Sequence, residues 1–505
     1  MIQGTASGVG KSMLVTALCR IFKQDGFRVA PFKSQNMALN SFVTRFGEEM
    51  GRAQVVQAEA AGLEPCIDMN PILIKPEANS KAQIIVMGKP AMTLTAGEYG
   101  RHADELLPVV EASLNRLRSA YDIIVIEGAG NPAEINIKQN EIVNMTIARL
   151  AGAPVLLVGD IDKGGVFASL VGTLALLDEE EKACIKGFII NKFRGDLALL
   201  QPGLDYLESY TSKPVIGVIP YYHDILIPEE DSIFTGGARA SSAKEIITIV
   251  IIRLPHLSNS NDFEPLQQEA GVEVRYVNST GELGYPDAII LPGSKSTIAD
   301  LAYLWQSGLA DGIVQRSKRG TPVVGICGGF QMLGKEIKDP DGVESGVENI
   351  VGLGLLDATT IFQRQKTTCQ VKARVVAGEG LLEGLKGDEV TGYEIHMGQT
   401  VTDNIAPLFL ITEKMGGEGG YADGAVAHGG LTFGSYLHGL FDNANFRHTF
   451  LSRLRQRKGL YPAPGQLIPT REQQYDRLAD IIRRSLNLKL VYQICGLESS
   501  ICKEL

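Results

Sequence analysis

No apolar run in this chain approaches the ~18–20 residues needed to span a bilayer, which sets helical membrane proteins aside. No charged leader followed by a hydrophobic stretch opens the chain, so no export signal is expected. Paired cysteines are missing too. The seven present are scattered, odd in number and never spaced C-x-x-C, which excludes a disulfide framework and a zinc ribbon. A reducing, cytoplasmic location is the expectation. Basic charge is in deficit, with 48 Lys and Arg against 58 Asp and Glu and a net charge of −10. That balance argues against nucleic acid or an anionic membrane as the main partner. Internal repeats and low-complexity tracts are also absent.

What is present fits a globular protein, 44% hydrophobic and 21% charged, with 56 glycines to serve tight turns. At 505 residues the chain exceeds one core, so two or three domains are expected. Its first half repeats one grammar: an apolar run, a glycine or acidic stop, then a helical pattern. Ile123 to Ile126 stops at Glu127-Gly128, Val155 to Val158 at Gly159-Asp160, and Phe188 to Ile190 at Asn191-Lys192. Near-continuous apolar strands imply burial on both faces and hence a parallel sheet covered by helices. Functional groups in such sheets gather at the carboxyl ends of the strands.

Around 235–242 the hydrophobic period fails, and the alternation then resumes with Ile246 to Ile252, Val272 to Val277, Ala288 to Leu291 and Val323 to Ile326. The expected fold class is therefore α/β, with two doubly wound, mostly parallel-sheet domains. The boundaries read 1–234, a linker at 235–245, a second domain at 246–446 and a helical tail at 447–505. In the tail Tyr475, Leu478, Ala479, Ile482 and Leu486 share one helical face.

The stretch 4–12, Gly-Thr-Ala-Ser-Gly-Val-Gly-Lys-Ser, precedes a helix with Leu14, Ala17, Leu18 and Ile21 on one face. Glycines at Gly8 and Gly10 let the backbone curl so that several N–H groups face one anion. The helix dipole adds to them, Lys11 brings charge, and the Ser12 hydroxyl suits Mg²⁺. A chance glycine-rich turn is the weaker alternative. The usual motif has its first glycine where Thr5 stands. Only Met1-Ile2-Gln3 precede the loop, too few for a full first strand of ~5–6 residues; a chain whose start is truncated or mis-set is one reading, and a weakened nucleotide site is expected only on that reading. Glu127, at a strand end, is positioned for the metal or its water shell, with a surface carboxylate as the competing reading. The amide of Asn191 is a candidate reader of an adenine edge, or simply a turn residue.

Val323 to Ile326 leads into Cys327-Gly328-Gly329 and a helix. Such a turn presents the sulfur at a helix N-terminus, where thiolate is favoured. Buried cysteine is usually inert packing, but a packing cysteine has no need of flanking glycines. The Gly328 N–H is a candidate oxyanion donor, and Gly293, in Leu291-Pro292-Gly293-Ser294, is a second. His438, in Ser435-Tyr436-Leu437-His438-Gly439-Leu440, is the best base for the thiol. Its rival His396 reads better as a hydrogen-bonded structural residue.

On these residues the second domain resembles the class I triad glutamine amidotransferases, and the first resembles dethiobiotin synthetase with its shifted glycine loop. Pro31-Phe32-Lys33-Ser34-Gln35-Asn36-Met37, the run from Glu127-Gly128-Ala129-Gly130-Asn131-Pro132, and Asp160-Ile161-Asp162-Lys163-Gly164-Gly165 extend the likeness. Together they make the chain similar to the cobyric acid synthase family. The resemblance implies a P-loop domain followed by an amidotransferase domain, using ATP and Mg²⁺. It implies amidation of the b, d, e and g carboxylates of adenosylcobyrinic acid a,c-diamide with nitrogen from glutamine. Lys11 and Lys33 would neutralise the transferring phosphoryl group, and Cys327 and His438 would release ammonia. One departure stands out: triad amidotransferases carry Glu two residues after the histidine, and here Leu440 is found. The alternatives are cobyrinic acid a,c-diamide synthase, with other carboxylates, and a P-loop switch ATPase carrying a non-catalytic amidotransferase module. CTP synthase shares the domain order but keeps the glutamate.

Overall fold

The first sheet is built from runs too apolar to face water on either side. In a computed structural model covering residues 1–77, 80–222, 225–227, 246–415, 417–461 and 469–497, these runs lie parallel. The spatial order is Val29–Phe32, Ile123–Ile126, Ile2–Gly4, Val155–Asp160, Ile185–Phe193 and Val215–Pro220. The linker expected at 235–245 lies outside the described residues. The opening strand is as short as its sequence allows, yet it sits mid-sheet: Ile2 pairs with Leu156 on one side and Glu127 on the other. Its burial anchors the loop that follows.

The helix Lys11–Gln24 departs from the one-faced amphipathic pattern. Every residue from Met13 to Phe22 is buried, because a second layer covers its outer side. That layer is the helix Arg471–Ser485, whose Tyr475, Leu478, Ala479 and Ile482 join Leu14, Leu18 and Ile21 in one core. Arg20 pairs with Glu472 and Asp476, both at 2.7 Å. Burying a side chain such as Leu478 contributes about 1.5–3 kcal/mol, so truncation there would loosen the layer behind the phosphate loop. Leu486 ends the helix and bridges to Gly217 at the sheet edge.

The second sheet runs Val272–Val277, Ile247–Ile252, Ala288–Leu291, Val323–Ile326 and Thr432–Ser435 in parallel, with Ala425–Ala427 antiparallel at one edge. The described residues of 447–505 divide between the two units. Phe450, Leu451 and Leu454 of the helix Ala444–Arg457 enter the second core, whereas Arg471–Ser485 belongs to the first.

Two antiparallel additions complete the architecture. One joins Ala358–Val375, Glu389–Thr402, Phe409–Lys414 and Gly417–Asp423 beside the second sheet. The other, in the first unit, comprises Ile72–Pro76, Lys81–Val86 and Lys89–Thr95, and near it lies the short hairpin of Ser41–Val43 with Glu49–Gly51. That hairpin meets the second unit. Thr368 donates to the Gly47 carbonyl at 2.9 Å, and Gln370 to that of Val43 at 2.8 Å.

Candidate active site

In the first unit the candidate residues gather at the strand ends. The loop after Gly4 turns through positive φ at Gly8 (71°) and Gly10 (98°), where a side chain would be strained. A Cβ on Gly10 would stand 2.2 Å from the Asn191 amide nitrogen, so the loop rests directly on that side chain. Asn191 Nδ2 donates to the Val9 carbonyl at 2.8 Å, and the residue is buried. The amide nitrogen braces the loop, while the buried Oδ1 has no hydrogen-bond partner among the described residues, which leaves an acceptor open to an adenine edge. Lys11 Nζ donates to the Ala6 carbonyl at 3.0 Å, curling back over the loop.

Glu127 is wholly buried at the end of Ile123–Ile126. It accepts from Ser12 Oγ at 2.8 Å, from Lys33 Nζ at 3.1 Å and from Gln57 Nε2. The structure thus brings Ser12, Lys33 and Glu127 into one cluster beside Lys11. Buried charges persist only when paired, and Lys33 with Glu127 satisfies that condition. An oxygen pair from Ser12 and Glu127 suits a hard cation such as Mg²⁺.

In the second unit three neighbouring strands end in Gly293, Cys327 and His438, so parallel pairing alone converges residues far apart in sequence. Cys327 has φ 51° and ψ −110°, a conformation costing a non-glycine residue about 1–3 kcal/mol. Its N–H donates to the Ser435 carbonyl at 2.8 Å, which holds the turn. Gly329 explains the glycine frame: a Cβ there would lie 2.0 Å from the Leu291 carbonyl oxygen. A Cβ on Gly328 would stand 2.9 Å from the Ser294 nitrogen, and one on Gly293 would stand 3.2 Å from His438 Cε1. The strand-end loops therefore close tightly around the sulfur.

His438 is buried and hydrogen-bonds with Cys327. Its Nδ1 lies 2.7 Å from Asp262 Oδ2, and the other oxygen of Asp262 accepts the Gly439 N–H at 3.0 Å. Burial opposes a charged imidazole. The Asp262 carboxylate and Cys327 outweigh it, and His438 is raised to about 10. Asp262 thus stands where the missing glutamate would act, reaching the ring from the short helical turn Ser260–Phe263 that follows the strand Ile247–Ile252. Sequence reasoning missed it. The available signal was the polar run Ser258-Asn259-Ser260-Asn261-Asp262, lying after the strand Ile247–Ile252 on the functional edge of a parallel sheet.

His396 lies close by in a different state. Its Nδ1 sits 2.7 Å from the Gly398 carbonyl, its ring stacks on Tyr436 at 3.7 Å, and burial pushes it down to about 4. A neutral imidazole so held is suited to packing.

Comparison with known proteins gives this geometry a family. Residues 1–232 match the CobQ/CobB/MinD/ParA nucleotide binding domain, and residues 248–446 match the CobB/CobQ-like glutamine amidotransferase domain. A cobyric acid synthase of Dehalococcoides mccartyi is 54% identical over 494 residues, covering 98% of this chain and 97% of the relative. The chain belongs to the cobyric acid synthase family. Family members from Moorella thermoacetica (52% identical, 99% of this chain and 97% of the relative) and Sorangium cellulosum (51%, 99% and 98%) are alike over similar lengths. Among the described residues no helix is long and apolar enough to cross a membrane.

Proposed function

We propose that this chain amidates the b, d, e and g carboxylates of adenosylcobyrinic acid a,c-diamide, consuming ATP and glutamine, in cobalamin biosynthesis in the cytoplasm. The observation that carries the reading is the pairing of two complete centres in one chain. One is a phosphate loop with Lys33 and Glu127; the other is Cys327 with His438 and Asp262.

A carboxylate is a poor electrophile, so the phosphoryl group of ATP first makes it an acyl phosphate. The curled loop at Gly8 and Gly10 holds the phosphates through backbone N–H groups, and Lys11 and Lys33 offset the charge on the transferring oxygens. Ser12 and Glu127 would hold Mg²⁺, which supplies further neutralisation of the phosphates when bound. Asn191 keeps the loop in its curled form.

In the second centre the Cys327 sulfur attacks the side-chain amide carbon of glutamine. The proton held by His438 passes to the departing nitrogen, giving a thioester and ammonia. Asp262 fixes the imidazole so that its other nitrogen faces the sulfur. The N–H groups of Gly328 and Gly293 would receive the oxyanion. Water then cleaves the thioester to glutamate, while ammonia displaces phosphate from the acyl phosphate. The partners are small molecules throughout.

The test is to incubate the protein with the a,c-diamide, ATP and glutamine and read product mass. Four successive carboxyl-to-amide conversions are expected. An unchanged a,c-diamide, or conversion only of the a- and c-carboxylates of cobyrinic acid, would overturn the assignment.

A further inference from the structure

The hairpin at 41–51 belongs to the nucleotide-binding unit, yet its first strand touches the residues that hold His438. The Ser41 N–H donates to Asn259 Oδ1 at 3.3 Å. Asn259 Nδ2 in turn lies 3.4 Å from the Ser41 carbonyl and 3.2 Å from the Tyr393 hydroxyl, which itself donates to that carbonyl at 3.3 Å. The Ser260 N–H donates to Asn40 Oδ1 at 3.0 Å. The Phe42 ring meets Tyr393 edge-on, 5.2 Å between centroids.

Tyr393 and Asn259 bear on the imidazole from two sides. The Tyr393 ring stacks on His438 at 5.3 Å with 16° between planes, and the two residues exchange backbone hydrogen bonds of 2.9 and 3.3 Å. The carbonyl of Asn259 accepts the Asp262 N–H at 3.0 Å, so its position sets that of the carboxylate gripping Nδ1. Asn259 is buried and adopts φ 55°, a strained backbone that asparagine tolerates better than most residues. Ordinary packing accounts for an aromatic contact. It does not account for a left-handed asparagine whose side chain is spent on the other unit.

The same hairpin leads back to the phosphate side. Ser41 pairs with Gly51, whose N–H donates to Asn70 Oδ1 at 2.9 Å; Asn70 Nδ2 donates to the Lys33 carbonyl at 3.2 Å.

We propose that Asn259 and Tyr393 are positioning residues through which hairpin 41–51 holds His438 in its working orientation, so that nitrogen release depends on a segment of the nucleotide-binding unit. The inference rests on the reading of His438 as the glutaminase base. Phe42 and Ser41 touch neither sulfur nor imidazole, yet the second centre is complete only with them in place.

The sharpest test is Phe42→Ala, because it alters the first unit and reads out in the second. Asn259→Gly tests the other contact, since glycine adopts the same backbone without strain. In the full-length protein three activities are compared: glutamate release, glutamine-driven amidation and ammonia-driven amidation. Both variants should lower kcat for glutamate release and for glutamine-driven amidation about tenfold, the scale on which a misplaced catalytic group loses rate. The KM for glutamine and the ammonia-driven rate should stay within about twofold, and Phe42→Tyr should restore the loss. Unchanged glutamine-driven kcat in Phe42→Ala, or equal loss with both nitrogen donors, would overturn the proposal. If the wild-type chain amidates no corrin with either donor, the functional reading fails separately, and glutamate release still reports on the clamp.

Discussion

The two centres occupy the same kind of place, the carboxyl edge of a parallel sheet, and are assembled by opposite means. The phosphate centre takes most of its parts from one uninterrupted stretch, Gly4 to Ser12, and adds Glu127 from the end of the adjacent strand and Lys33 from the strand beyond it. The sulfur centre takes one residue from the segment after each of four strands, and its members Asp262, Gly293, Cys327 and His438 are distant in sequence. The first must stabilise charge spread over several oxygens, which repeated backbone N–H groups do well. The second must move one proton along one line, which demands single side chains held in fixed orientation. A contiguous loop suits the diffuse task and converging strands suit the directed one.

The largest expected effect separates the centres completely. Cys327→Ala should abolish glutamine-driven amidation while ammonia still supports it at close to the wild-type rate, measured as corrin product formed. Equal loss with both donors would mean that the centres are not divided in this way. Lys11→Ala should act on both donors alike, lowering amidation by about 10²–10³-fold, as expected for loss of a preorganised charge at a phosphoryl-transfer site. Substantial ammonia-driven product from that variant would break the assignment of Lys11. Asp262→Asn comes next, since it keeps shape and removes the charge that fixes the imidazole. Glutamine-driven kcat should fall by about 10²-fold or more, with ammonia-driven turnover untouched. A wild-type kcat would leave His438 without need of a third group.

The contrast also explains what could be read from residues alone. Strands Ile123–Ile126, Val272–Val277, Ala288–Leu291 and Val323–Ile326 have the ends expected of them, because each apolar run stops at a turn or polar signal. The phosphate loop is legible for the same reason: its chemistry is contiguous. Ala358–Val375 and Glu389–Thr402 were not foreseen, since one face of each is wet and their Thr, Gln, Lys and Arg dilute the apolar period. Asp262 was hidden by distance, as only strand order brings it to His438. Asn191 lies at the strand end expected of it, and the hold of its Nδ2 on the Val9 carbonyl depends on how closely Gly10 approaches, which spacing does not encode.

The smallest effect concerns pH and sharpens the account of the second centre. Free imidazole titrates near 6.5, and in the folded protein His438 is raised to about 10 by Asp262 and Cys327 against the opposing effect of burial. A raised value means that the folded state binds this proton more tightly than the unfolded chain does. The stabilisation it brings is complete below about pH 6.5 and is lost as pH climbs through 10. Asp262→Asn removes the carboxylate that raises it. The melting temperature of wild type should therefore exceed that of Asp262→Asn by about a few degrees near pH 6.5, and the gap should narrow as pH approaches 10. A gap that stays constant or widens over that range would mean that Asp262 holds His438 by shape alone, and the sulfur centre would then lack the charged pair on which its directed proton transfer depends.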